Sequence, residues 1–243
     1  MSVINETVNS DKVETGCITL GRVAPDFTAL STDGYITLSQ FRGKWVVLVS
    51  EPGDFAATST TSIIELTKHY EEFRKRNVEI LVVTIDNNFA NIEWLVNIYE
   101  NHGIVVPFPL LEDLKAEIAH KYGMVNPDRV YAESVRDLFI IGPEGKIRAI
   151  LTYPVSCGRN TYEVLRIIDS LQLTEAYNVY TPSNWMPGDL VMVPTTHTFR
   201  DAMIRKERGS NFGLDCVTWY NCYTEYDSLR DTNRFLNIIN RNN

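Results

Sequence analysis

The chain has 243 residues, 44% of them hydrophobic, with 31 acidic against 23 basic side chains and a formal net charge of -8. That is enough apolar material for a full core, and the acidic balance argues against nucleic acid or an anionic membrane surface as partners, since no local basic patch offsets it. No apolar run approaches the length that spans a bilayer, and the polar start MSVINETVNSDKVETG is not built like a secretion signal, so a soluble cytoplasmic protein is expected.

In chain order, residues 1 to 16 read as a flexible leader, followed by short extended pieces around Val23-Ala-Pro-Asp-Phe27 and a small strand at Tyr35 to Leu38. Trp45 to Ser50 is an apolar run rich in β-branched residues and bounded by Pro52 and Gly53, which predicts a central strand. Ile63, Leu66, Tyr70 and Phe73 then recur at helical spacing and predict a helix over 60–76, with the small residues Thr58 to Ser62 in or beside its first turn. Val78 to Ile85 is a second buried strand, and strand, helix, strand makes a parallel crossover unit.

Phe89, Ile92, Leu95, Val96 and Tyr99 give another helical stripe closed by Gly103. Val105 to Leu110 is extended, and a third helix is expected from Glu112 to Tyr122. Arg136 to Ile141 and Ile147 to Tyr153 flank the turn Gly142-Pro143-Glu144-Gly145 and predict an antiparallel hairpin at the edge of the sheet. Asn160 with Glu163 three residues on caps a last helix carrying Val164, Leu165, Ile168 and Leu171. Beyond Leu173 the periodicity fades, and Tyr177 to Asn243 reads as a loosely structured extension whose Trp185, Trp219, Tyr220 and Tyr223 pack on the main domain or a second subunit.

The four cysteines are too few and too scattered for a disulfide scaffold, and none is spaced with a histidine for metal binding, so no zinc or other metal site is expected. Within one regular element, the six steps from Cys216 to Cys222 cover about 9 Å in a helix or about 20 Å in a strand, beyond the roughly 7 Å reach of a disulfide. The pair is therefore expected to stay free or to link across subunits, while Cys17 and Cys157 read as small packing or surface residues. The four histidines are dispersed and read as solvated or helix-terminal.

A strand feeding a short polar loop and a helix N-terminus suits an anion or a developing anion, because the first helical N–H groups are unpaired. At this loop the chain resembles the peroxiredoxins, and follows their single-catalytic-cysteine subfamily with a long C-terminal domain from about Gly21 to Tyr226. The matching segments are APDF at 24–27, PGDF at 52–55, STTSIIEL at 59–66, VPFPLLED at 106–113, VRDLFIIGPEGKIR at 135–148, YPVSCGRN at 153–160 and CVTWYNCY at 216–223. The resemblance implies a thioredoxin-like α/β fold with a central mixed sheet over residues 1–173 and a smaller C-terminal domain over 174–243. It also implies a homodimer, with a ring of five dimers as a further possibility.

In that family the loop carries a proline, then a threonine, then the cysteine that attacks peroxide, with an arginine supplied by a later strand. A thiolate there becomes a sulfenic acid, which a second thiol reduces, and no cofactor takes part. Position by position, Pro52 and Arg136 match, but Ala56 stands at the threonine and Ser59 at the cysteine; Glu51 stands where histidine is frequent and Ala57 where proline is common. A serine hydroxyl has no counterpart of the sulfenic-acid ladder, so no ordinary peroxidase activity is expected.

Two histories fit the serine: a single engineered replacement, against which Ala56 counts, or a natural relative whose site was lost or turned to peroxide sensing, binding or assembly. Ser59 also has a plain structural role open to it as a helix cap, and no histidine is placed to make it a hydrolase nucleophile. Arg136 reads as a site residue with Ser59, Thr58 and the backbone near Phe55 as neighbours, or else as a solvated strand residue. Arg159 either adds charge at the same loop or secures a dimer contact. By the resemblance Cys216 and Cys222 correspond to the C-terminal pair of archaeal-type members, one of which resolves the oxidised cysteine. A peroxide substrate and a thiol reductant are the partners the resemblance implies.

Overall fold

The computed structural model describes residues 18–125 and 135–226; the leader expected over residues 1 to 16 and Cys17 lie outside them. The centre is a seven-stranded mixed sheet, in which β1 (Thr28–Ser31), β2 (Gly34–Thr37), β3 (Trp45–Glu51), β4 (Val78–Thr84), β5 (Leu110–Glu112), β6 (Arg136–Ile141) and β7 (Ile147–Tyr153) stand in the order β2-β1-β5-β4-β3-β6-β7. β3, β4 and β5 run parallel, joined by crossovers, while β6 returns antiparallel on β3 and pairs with β7 at the edge.

Period-two alternation along β3, β4 and β6 builds one core on each face of the sheet. Val47, Val49, Ile80, Val82, Leu138 and Ile140 point to one side, and Val46, Leu48, Leu81, Val83, Phe139 and Ile141 to the other. The first face is covered by α1 (Ala57–Lys68), α2 (Tyr70–Lys75), α3 (Asn88–His102) and α5 (Thr161–Tyr177), which contribute Ile63, Phe73, Trp94, Ile98 and Ile168. The second is covered by the N-terminal segment and α4 (Glu117–Tyr122), through Phe27, Leu38, Ile118 and Tyr122.

Three expectations need correction. The helix over 60–76 begins earlier and is two helices, broken at His69, whose ring Nδ1 turns back to the Glu65 carbonyl at 2.9 Å. The helix expected from Glu112 starts only at Glu117. Glu112 belongs to β5, and the Asp113 carboxylate accepts the Ile118 and Ala119 N–H groups, so the chain turns before it coils.

The third concerns the C-terminal segment, which is more ordered than its weak periodicity implied. α5 runs on to Tyr177, and a second sheet forms from β8 (Val191–Met192), β9 (Asp215–Thr218) and β10 (Asn221–Thr224) in the order β8-β10-β9, flanked by α6 (Phe199–Arg208). Its strands are two to four residues long, too short for a periodic signal. The Asn160 cap forms as read, its side chain accepting the Tyr162 and Glu163 N–H groups. Among the described residues no helix is long and apolar enough to cross a membrane.

Candidate active site

β3 ends at Glu51, the loop turns at Pro52, and α1 begins at Ala57. Phe55 makes the turn with a φ of 58°, a left-handed conformation that costs a non-glycine residue on the order of 1 kcal/mol. Its ring lies 6.5 Å from that of Trp94, whose Nε1 donates to Thr60 Oγ1 at 3.1 Å. Asp54 fixes the other side, its N–H donating to Asp86 Oδ2 at 2.7 Å. Assigned by hydrogen bonding, the Asn91 amide nitrogen lies 3.0 Å from both Asp54 carboxylate oxygens.

Ser59 is the third residue of α1 and is 0% exposed, and its Oγ has no hydrogen-bond partner among the described residues. The capping role open to it in the sequence is not taken: the N-cap is Ala56, which has no side chain able to accept a helical N–H. The first turn also holds no acidic residue, so its amide groups and partial positive charge are uncompensated by a local side chain.

Arg136, the first residue of β6, is 1% exposed and therefore not a solvated strand residue. Its Nε donates to the Val155 carbonyl at 2.7 Å and its Nη1 to Glu51 Oε2. Its hydrogen bonds thus go to Glu51 and to the Val155 carbonyl in the 154–159 loop.

Arg159 lies on the same carboxylate: Nη1 donates to Glu51 Oε1 at 2.5 Å and to Ser62 Oγ at 3.3 Å, and Nη2 to the carbonyls of Ser50 and of Asp137, the latter at 3.0 Å. Ser62 is one helical turn beyond Ser59, so this guanidinium lies beside the first turns of α1. The same loop passes over Thr58, close enough that a β-carbon at Gly158 would touch its methyl at 3.8 Å. Burial holds the Arg159 pKa below the usual guanidinium value, opposed by Glu51. It likewise raises that of Asp137, opposed by hydrogen bonding to Thr152 and by Arg159.

Glu51 is 0% exposed, and it is the group that sequence reasoning missed. It registered there only as a departure from the family pattern. The signal available was a carboxylate at the end of an otherwise apolar buried strand, which requires buried cations as partners.

Burial first, and the Asp86 carboxylate second, push the Asp54 carboxyl up to about 7. Its folded pKa exceeds the unfolded value near 3.8, so the folded state binds more protons between those limits. The loop is then most stable in the protonated form and loses that contribution as pH rises toward 7 and past it. Amide exchange over 52–57, corrected for intrinsic rates, is expected to be faster at pH 8 than at pH 6, with the difference abolished by Asp54→Asn. Equal protection at both pH values would contradict this.

Cys216 and Cys222 are disulfide-bonded to each other with their Cα atoms 4.0 Å apart, which overturns the expectation of free or intermolecular thiols. The two lie opposite each other on β9 and β10, because the chain reverses at Trp219 and Tyr220 and is not one regular element between them. Cys157 is an exposed free thiol, and the described residues hold no cluster able to bind a metal ion.

A buried strand, a loop and a helix start backed by two arginines from the antiparallel side of the sheet define a thioredoxin-like α/β protein. The AhpC/TSA family pattern matches residues 20–150, and that of the C-terminal domain of 1-Cys peroxiredoxin matches residues 170–211. A peroxiredoxin of Caldanaerobacter subterraneus subsp. tengcongensis is 44% identical over 205 residues, covering 84% of this chain and 91% of that protein.

Among solved structures, the yeast mitochondrial 1-Cys peroxiredoxin superposes with a TM-score of 0.76 at 34% identity, covering 86% of this chain and 99% of that one. A cysteine-to-serine mutant of peroxiredoxin 6 of Arenicola marina has the same TM-score at 36% identity, covering 86% and 98%. The chain belongs to the peroxiredoxin family.

Proposed function

We propose that this chain is a peroxiredoxin-family protein whose inherited reaction, thiol-dependent reduction of hydrogen peroxide or alkyl hydroperoxides, is not carried out by the chain as written. The reading rests on Ser59, a buried hydroxyl at the start of α1 in the position that the family motif gives to the attacking cysteine. Pro52, Ala56 and Arg136 take the motif's proline, threonine and arginine positions, with Thr58 and Arg159 beside them. An alcohol at this position is neither ionised near neutral pH nor oxidisable to a sulfenic acid, so the first step has no nucleophile.

The four departures at Glu51, Ala56, Ala57 and Ser59 favour natural divergence over a single engineered change, because a freezing mutation alters one position. Residues 1–173 form the peroxiredoxin domain and 174–243 a C-terminal dimerisation domain of a cytoplasmic homodimer.

The second reading is a non-catalytic sensing, binding or assembly protein on the same scaffold. It is favoured by the Cys216–Cys222 disulfide, since a pair bonded to each other offers no free thiol to resolve another sulfur. Peroxide consumption with dithiothreitol, glutathione and thioredoxin systems tests the main reading. The chain is expected to match the protein-free blank with hydrogen peroxide and with an alkyl hydroperoxide, and multiple turnovers with any of them would overturn it.

A further inference from the structure

The missing sulfur does not account for Glu51. A fully buried carboxylate spans two buried guanidiniums, one on each oxygen, with Arg136 contributed by β6 and Arg159 by the loop after β7. The same two side chains also donate to neutral acceptors, the carbonyls of Val155, Ser50 and Asp137 and the hydroxyl of Ser62. Asp137, whose carboxyl also acts on Arg159, is held toward its neutral form by burial.

Two cations beside a helix N-terminus that lacks any acidic residue would otherwise present concentrated positive charge to the first turn of α1. A carboxylate bridging them takes the place an anionic ligand would take, and its own charge offsets one of the two.

We propose that Glu51 is a built-in counter-anion: it occupies Arg136 and Arg159, withdraws their charge from position 59, and keeps even a sulfur nucleophile placed there from becoming a stable thiolate. The inference rests on the reading that position 59 is where the family's cysteine falls. Glu51 acts here as a positioning residue through the two arginines, and the site is closed twice, once by the loss of sulfur and once by the loss of free positive charge. A nearby like charge raises an acid's pKa, so a carboxylate that neutralises these arginines opposes the lowering that they and the helix terminus would give.

The test introduces the thiol with and without the carboxylate, using Ser59→Cys and Ser59→Cys/Glu51→Gln, both with Cys157→Ser so that the exposed thiol is silent. Iodoacetamide alkylation is followed against pH, with mass spectrometry of the peptide carrying position 59. With Glu51 intact the introduced thiol is expected to titrate near the ordinary cysteine value of about 8.5. With Glu51→Gln the midpoint is expected to fall by at least one unit, and the single-turnover rate with hydrogen peroxide at pH 7 to rise at least tenfold.

A midpoint below 7 in Ser59→Cys with Glu51 intact would overturn the proposal, as would equal midpoints in the two variants. The first of these needs no change in the ion cluster, so it decides the matter even if Glu51→Gln does not fold. Peroxide turnover by the unaltered chain would instead refute the proposed function, so the two failures are told apart.

Discussion

Glu51→Ala is expected to destabilise the protein by about 3–5 kcal/mol, because it leaves two buried guanidiniums facing each other with their shared carboxylate gone. Arg136 and Arg159 have side chains 2% and 4% exposed, so water cannot replace the lost charge as it would at the surface. Urea unfolding followed by far-UV circular dichroism checks the figure. The loss should exceed that of Glu51→Gln, which keeps two polar atoms in the same place. A change below about 1 kcal/mol would mean that the carboxylate behaves like an exposed ion pair and that the cluster holds nothing together.

Trp94→Ala is expected to cost a comparable amount, about 3–5 kcal/mol, and to act on the site as well as on the core. The side chain is 1% exposed, stands in the apolar layer formed by β3, β4, α1 and α3, and reaches the active loop by two contacts: its indole N–H on Thr60 and its ring against Phe55. Thr60 keeps its own bond to the Ala56 carbonyl, so the helix start survives while the strained Phe55 loses its support. Trp94→Phe, which fills most of the volume, should lose much less stability. Hydrogen exchange over 54–60 should accelerate in Trp94→Ala beyond the change expected from global stability alone, and unchanged local protection would show that the loop is held by Asp54 and Asp86 without the ring.

Much of the seven-stranded sheet and its helices was legible because their signals are local. β3 and β4 are continuous apolar runs, β6 and β7 flank a turn at the predicted residues, and Asn160 caps α5 with its own side chain. What escaped was whatever depends on pairing across the chain. Cys216 and Cys222 meet because a hairpin folds them together, and a spacing argument confined to one element is blind to a reversal. Asp113 delays α4 through bonds that look helical in the sequence only one turn too early.

Glu51 shows the same limit at the site. Arg136 and Arg159, which bind it, lie 85 and 108 residues downstream, so a carboxylate that looked like one departure among four is the centre of a buried ion cluster. The positions of Ser59, Pro52 and Arg136 in the loop, helix and strand were readable, but the occupation of Arg136 by a carboxylate was not.

The proposed absence of a peroxide-reducing step is most directly tested by a rapid-mixing measurement on the unaltered chain. One equivalent of hydrogen peroxide is mixed with prereduced protein, and its disappearance is followed through the first second at neutral pH. The account predicts no burst, with peroxide lost only at the slow rate of ordinary exposed thiols. A burst approaching one peroxide per chain would contradict it, because it would require a fast nucleophile in a site where Ser59 has none to give.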